Sequence, residues 1–533
     1  MSRRGKRFKN VRPGFVFLLI PVVFGLLAVG IVFSSRYQHV LSAAGASRLT
    51  TKNWQTADAA FAHNDPVYQR KFAYYKVQPG QTLASLAEHF SVPQQTLATL
   101  NPGAIVSGTT IKVPPVEHAL TPIVVNGAGV NLLTTQLIGG VVHVNNSFSN
   151  PQVKLDIPTL MKITQAYNAL QQTTPKQYRL LLPLYVEGNI RLDITSDTVS
   201  QLALKSNPDY GITTLTIRDA ELLVKDSTIT TVDLATNKPD LNYADGRSFV
   251  RAYGNGRMDI INSHMSYLGM SLDQLRDQAI AKRVSFISQG GIYGVSWRIP
   301  THSFGQNIVT GWVQNSTFDH NHIGSFTFGA SGMTWEHNLF TKNEVYGLDP
   351  HDDSNNALIE NNTFANNGKH GFIVSKRCDY NIIRDNVSYG NKLHGFMLHE
   401  NSAYNLIENN KAYDNTDNYV IYQSNFNTIK NNVGYNARGS NVRINQGATN
   451  NFVTGNTLSG GPRGVYLYGA TKNTLVKDND IQNVTDALVT NNAQDVLFTG
   501  NTIAGLKFKL AANDRIIFGP NTIDKKLAPQ TSK

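Results

Sequence analysis

Tyr346, His370 and His394 stand 24 residues apart, and each is followed by glycine, at 347, 371 and 395. His351, Ser375 and His399 repeat the same interval, as do Asp353 and Arg377. Imidazole and phenol are side chains of general acid–base catalysis, once neighbours tune them from reference pKa values of about 6.5 and about 10. Arginine adds a fixed positive charge with a geometry that matches carboxylates. Gathered on one surface, such a set suits proton transfer on a carbohydrate substrate. It is a set only if the chain folds with a period near 24.

The second half of the sequence has that period. A phrase of apolar-x-Asn-x-apolar character places Asn at 315, 338, 362, 386, 410, 432, 456, 479 and 501, at spacings of 22 to 24. Examples are Glu360-Asn-Asn-Thr-Phe364, Arg384-Asp-Asn-Val-Ser-Tyr389 and Lys430-Asn-Asn-Val-Gly-Tyr435. Less regular coils around Asp226 and Asn262 precede them. A repeat of this length signals a solenoid. Leucine-rich repeats would show L-x-x-L-x-L, which is absent, so the expected fold is all-β, a parallel β-helix. Asn at one phase suits a turn, since it tolerates left-handed backbone angles, and stacked Asn side chains can hydrogen-bond along the axis. Residues of equal phase then stack about 4.8 Å apart. Eight past each Asn from 338 the column reads Tyr346, His370, His394; thirteen past, His351, Ser375, His399; fifteen past, Asp353, Arg377. The next coils put Asn418 and Gln423 at these phases, so the titratable patch is local.

The rest of the 533 residues divides readily. Residues 1–13 form a basic tail with Arg3, Arg4, Lys6, Arg7, Lys9 and Arg12, without which the net charge of +11 falls to +5. Residues 14–33 are an uncharged run long enough to span a bilayer. Basic residues ahead of it predict a single-pass cell-membrane anchor with the remainder outside and associated with the cell wall. A cleaved signal peptide is the rival reading, with residues 41–46 as an acceptable cleavage stretch. Residues 34–73 are a linker. Residues 74–115 show strand, two short helices and strand. Residues 116–210 look like a lead-in that caps the β-helix, with a helix over 157–172 between strands, and 211–525 are the β-helix itself. A helical stretch at 270–290 reads as an insertion, and 526–533 as a tail. The body carries no clustered basic face, which excludes nucleic acid as the expected partner. Cys378 is alone, so no intramolecular disulfide can form, and it reads as an ordinary thiol.

Two resemblances follow from quoted residues. The segment opening Val77-Gln-Pro-Gly-Gln-Thr-Leu83, with Leu97-Ala-Thr-Leu-Asn101 in the middle and Ile111-Lys-Val-Pro114 at the close, resembles a LysM domain. That resemblance implies binding of N-acetylglucosamine-containing glycans such as peptidoglycan. The string Asp349-Pro-His-Asp352, followed by His370-Gly-Phe-Ile-Val-Ser375 and Asn391-Lys-Leu-His-Gly-Phe396, resembles mannuronan C5-epimerases, especially the periplasmic type of alginate biosynthesis. Gly246-Arg-Ser-Phe249, Tyr267-Leu-Gly269 and Tyr293-Gly-Val-Ser296 extend it upstream. The resemblance implies a right-handed parallel β-helix and an anionic uronate polysaccharide as substrate.

Epimerisation at C5 removes a proton α to the carboxylate and returns one from the other face. The carboxylate must be neutralised by a cation as the enolate forms. Carried over, His351 is the base and Tyr346 the acid or second base, with water as its rival. Asp349 orients His351 or binds sugar. The family's arginine aligns with Lys376, with Arg377 beside it; Arg377 is favoured as the better carboxylate partner. His370, His394, Asp352 and His399 complete the substrate-binding set. The secreted modular epimerases carry an arginine where Leu393 stands here, which favours the periplasmic-type site. Neither a cofactor nor a metal is expected. A zinc site built from His351, His370 and His394 would lack a closed ligand set, and G-G-x-G-x-D calcium repeats do not occur. A polysaccharide lyase, which shares the proton-removal step, and a non-catalytic glycan-binding surface protein are the alternatives.

Overall fold

Ile359, Ile383, Ile407 and Ile429 recur at one phase of the repeat, and each is fully buried at the centre of a three-residue strand. Alternation in a strand turns every second side chain inward, so a short strand needs one such residue to close the core. The computed structural model describes residues 55–58, 72–90, 92–114, 132–207, 211–244, 246–270, 292–504 and 508–524. Within it the coils stack into three long, almost wholly parallel sheets of 15, 15 and 14 strands. The core is one continuous column of apolar side chains along the axis. Phe318, Phe340 and Phe364 stack within it at 4.8 and 5.2 Å.

The corners are built by two kinds of residue. The left-handed position before the interior Asn of five successive coils is His337, Asn361, Asp385, Asn409 and Asn431, with φ between 54° and 57°. The repeating Asn is the next residue and is buried, so its role is axial hydrogen bonding and not the left-handed turn itself. Asn338, Asn362, Asn386, Asn410, Asn432, Asn456, Asn479, Asn501 and Asn521 form an unbroken ladder, each Nδ2 donating to the next Oδ1 at 2.8 to 3.0 Å. Asn315 belongs to the left-handed set (φ 49°), and Ser316 takes the ladder position above Asn338. Two further ladders, Asn343–Asn367–Asn391–Asn415 and Asn381–Asn405–Asn427–Asn451, run along the other corners.

Parallel stacking begins earlier than expected, inside residues 116–210. Val141–Asn146 pairs in parallel with Leu184–Gly188, and Val153–Asp156 with Ile190–Thr195. The expected helix over 157–172 is shorter: Ile157–Ile163, a 3₁₀ turn at Gln165–Tyr167, then a strand from Leu170. Ile157 and Leu160 are fully buried against the main core, so the helix caps its first coil.

The small domain pairs Ala73–Lys76 antiparallel with Thr110–Val113, with helices Leu83–His89 and Gln94–Leu100 between them. Tyr75, Leu86, Phe90, Leu97 and Ile111 form its core, into which Ile308 of the β-helix also packs. Among the described residues no helix is long and apolar enough to cross a membrane. The run at 14–33, the basic tail at 1–13, most of the linker and nearly all of the insertion at 270–290 lie outside the described residues, as does the tail at 526–533.

Candidate active site

The chemistry-bearing residues lie on the outer face of one sheet and on the corner that follows it. Its consecutive strands are Ile323–Phe328, Leu348–His351, Phe372–Ser375, His394–His399, Asp417–Tyr422 and Ser440–Asn445. Phe328, His351, Ser375, His399 and Tyr422 are in register across them. Tyr346, His370 and His394 form a second column, stacked ring on ring at 5.1 and 4.8 Å. The period thus brings together the residues it was expected to bring together.

His351 is half-buried, and its Nδ1 lies 2.5 Å from Oδ2 of Asp352. An ionised carboxylate only accepts hydrogen bonds, so Nδ1 carries the proton and Nε2 the free lone pair. Burial pushes the His351 pKa down, against the opposing charge of Asp352, which favours the neutral ring. Asp352, rather than Asp349, therefore orients the imidazole. Asp349 is 3% exposed, and burial raises its carboxyl well above the usual range. Its Oδ1 has no hydrogen-bond partner among the described residues.

Lys376 and Arg377 do not alternate across a strand. The strand ends at Ser375, and both residues have left-handed backbone, with φ of 65° and 62°. They continue a corner that Asp352 and Asp353 form one coil earlier, also left-handed. Arg377 is exposed and committed to that corner: Nη2 donates to Asp353 at 2.8 Å and to Asp352 at 3.0 Å, and Nε adds bonds to Asp353. Lys376 makes no ion pair among the described residues, yet its charge acts on Asp349, His351 and His399.

Burial holds the Tyr346 phenol protonated, raising its pKa to about 12, with Asp349 adding to the effect. It lowers His370 to about 3 and His394 to about 2, so both rings are neutral near pH 7. His394 is clasped from beyond. Arg443 donates from Nη2 to His394 Nε2 at 3.0 Å, and its Nη1 pairs with Asp417 at 3.0 Å. Since guanidinium only donates, Nε2 of His394 is unprotonated. His399 stacks on Tyr422 at 5.0 Å, and burial lowers its pKa too.

Asp417, Tyr422 and Arg443 were not anticipated. The coil after His394 is one residue shorter ahead of its strand, so His394 aligns with Asp417 and not Asn418, and His399 with Tyr422 and not Gln423. Arg443 lies eleven residues past Asn432, the phase of Asp349, and counting that column would have found it. Cys378 is fully buried, its thiol directed at the carbonyls of Ser375 and Pro350, and burial pushes its pKa up; it packs in the core. Among the described residues no group of three or more His, Cys, Asp or Glu is arranged to hold a metal ion.

The family described as right handed beta helix region matches residues 250–412, 351–481 and 405–525, together more than half of the chain. The LysM domain family matches residues 75–114. The mannuronan C5-epimerase of Pseudomonas fluorescens is 28% identical over 206 residues, 38% of this chain and 34% of that protein. The mannuronan C5-epimerase of Pseudomonas aeruginosa is 27% identical over 200 residues, 36% of this chain and 32% of that protein. The chain thus spans about a third of the length of these curated relatives. The crystal structure of the periplasmic alginate epimerase AlgG shares the fold, with a TM-score of 0.56 at 20% identity over 72% of this chain and 85% of that one.

Proposed function

The chain belongs to the right-handed β-helix family, and from that scaffold we propose that it is a C5-epimerase of polymer-bound uronate, converting mannuronate to guluronate. The observation that carries the reading is the oriented imidazole of His351, on which the charge of Lys376 acts, a cation with no ion pair among the described residues. His351 Nε2 takes the C5 proton. The substrate carboxylate lies against the Lys376 ammonium, which stabilises the enolate as negative charge develops. Burial raises the Asp349 carboxyl well above the usual carboxylate range, and in its neutral form it would donate a second hydrogen bond to the same carboxylate, as a buried acid can. Tyr346, protonated at neutral pH, delivers the proton from the opposite face. Arg377 locks Asp352 and Asp353 and acts as a positioning residue.

The similarity to mannuronan C5-epimerases supports this choice of substrate. The polymer would be met outside the cytoplasm, with the LysM domain holding an N-acetylglucosamine-containing wall glycan and residues 14–33 the membrane.

The test is incubation of the protein with polymannuronate in deuterated water, followed by proton NMR. Deuterium at C5 together with guluronate signals is the expected result. Unsaturated chain ends would identify a lyase instead, and binding with no C5 exchange would identify a glycan-binding protein.

A further inference from the structure

Among the described residues, the exposed large hydrophobic side chains include three aromatics, Phe72 (45%), Tyr74 (48%) and Phe304 (39%). All three line one cleft of about 210 Å³ between the LysM domain and the β-helix. Single exposed apolar residues are ordinary on a protein surface, but a gathered patch marks an interaction site. The alternation of the strand Ala73–Lys76 explains the LysM side: Tyr75 fills the domain core, so Tyr74 points away from it. The wall opposite contributes Ser331, Asp353 and Asn355, which offer hydroxyl, carboxylate and amide groups.

The domains are held in this arrangement by polar contacts as well as by Ile308. Lys76 N donates to Gln306 O at 3.3 Å. Arg257 Nη1 donates to the carbonyls of His89 (2.7 Å) and Glu88 (3.1 Å), which close the first LysM helix, and His89 Nδ1 lies 3.2 Å from Glu221.

The cleft adjoins the candidate active site. Asp353 lines it and binds Arg377 at 2.8 Å; Arg377 binds Asp352, and Asp352 holds His351. Gly329, also on the cleft wall, donates from its backbone to Asp352 O at 2.8 Å. Arg377, shared between Asp352 and Asp353, offsets part of the negative charge that Asp353 shows to the cleft.

We propose that this cleft is a saccharide subsite shared by the LysM domain and the β-helix, and that it takes a pyranose of the same uronate polymer, beyond the reacting sugar. Aromatic faces match the C–H face of a pyranose, and a few polar groups at the rim fix its hydroxyls, the usual make-up of a ligand site. The volume suits a single ring. The LysM domain thereby contributes an edge to substrate binding, separate from any wall glycan it holds. The proposal rests on the reading that His351 acts on a uronate polymer.

The experiment compares the full chain with Phe72→Ala/Tyr74→Ala and, from the other wall, Phe304→Ala. Affinity for oligomannuronates of increasing length, and for N-acetylglucosamine oligosaccharides, is measured by calorimetry. The substituted side chains are exposed, and an unchanged melting temperature verifies folding. Both variants are expected to bind long chains roughly ten-fold more weakly, with a loss that grows with chain length. Unchanged affinity at every length would overturn the proposal. So would a loss confined to N-acetylglucosamine oligosaccharides, which would assign the cleft to a wall glycan. A wild-type protein that binds oligomannuronate without C5 exchange contradicts the proposed reaction alone, and the affinity comparison still reads the cleft.

Discussion

His351 Nδ1 and Asp352 Oδ2 lie 2.5 Å apart, and this contact decides which imidazole nitrogen is free to take a proton. The carboxylate fixes the tautomer and aims Nε2 away from the corner. Asp352→Asn can accept or donate at Nδ1, so the ring loses its single tautomer. The turnover rate should fall about ten- to a hundred-fold, less than the full contribution of a general base, with substrate affinity little changed. Steady-state C5 exchange measures this, and a wild-type rate in the variant would rule out the orienting role.

The left-handed corner separates two neighbouring cations. Arg377 is spent on Asp352 and Asp353, whereas Lys376 is without an ion pair among the described residues. Lys376→Ala should lower turnover by roughly 10²- to 10³-fold, the scale of losing one donor to a developing oxyanion. Arg377→Ala removes an exposed pair, costs less than about 1 kcal/mol of stability, and should lower turnover far less. A larger kinetic loss in Arg377→Ala would reverse the assignment.

Burial lowers the His351 pKa, and the neutral ring is the working form. Catalytic efficiency should therefore persist as pH falls through about 6.5, the ordinary imidazole value, and decline only at lower pH. Asp352 opposes the shift, so Asp352→Asn should move the acid limb lower still. A pH–rate profile with an acid limb above the ordinary value would contradict this.

His370 and His394 have folded-state pKa values of about 3 and about 2, below the unfolded value. Depressed values mean that their contribution to stability is complete above about pH 6.5 and is lost as pH falls towards the folded values, by up to about 1.4 kcal/mol per pH unit for each ring. Protonating His394 would also set a cation against the Arg443 guanidinium, 3.0 Å away. His370→Asn/His394→Asn should flatten the dependence of unfolding free energy on pH between about 6 and 4 relative to wild type. An equal slope in both proteins would show that the rings titrate normally.

Asn386 takes part in six ladder and corner hydrogen bonds, accepting from Asn362 and donating to Asn410, Ile359 and Arg384. Asn386→Ala leaves buried groups above and below unpaired, at about 1–3 kcal/mol each. A loss of at least about 3 kcal/mol in urea unfolding is expected, and a loss below about 1 kcal/mol would mean that the ladder is dispensable.

The interior Asn repeat made the β-helix and the His and Tyr columns legible, because parallel stacking converts equal phase into contact. It misled where the coil length changed: one residue lost before Asp417 shifted the column, and two residues in left-handed backbone at 376 and 377 broke the alternation assumed for a strand. Residues 116–210 hid their coils because they lack the Asn phrase, though Leu155, Leu192 and Ile194 fill the same core. The LysM contact with the β-helix left no periodic trace, since it depends on Ile308, Gln306 and Arg257, which share no phase.

The most direct measurement is C5 deuterium exchange by His351→Ala on polymannuronate in deuterated water, beside binding of the same polymer. Exchange should fall by roughly 10²- to 10⁴-fold, the contribution of a general base, while binding is retained. Exchange at the wild-type rate would show that another group removes the proton.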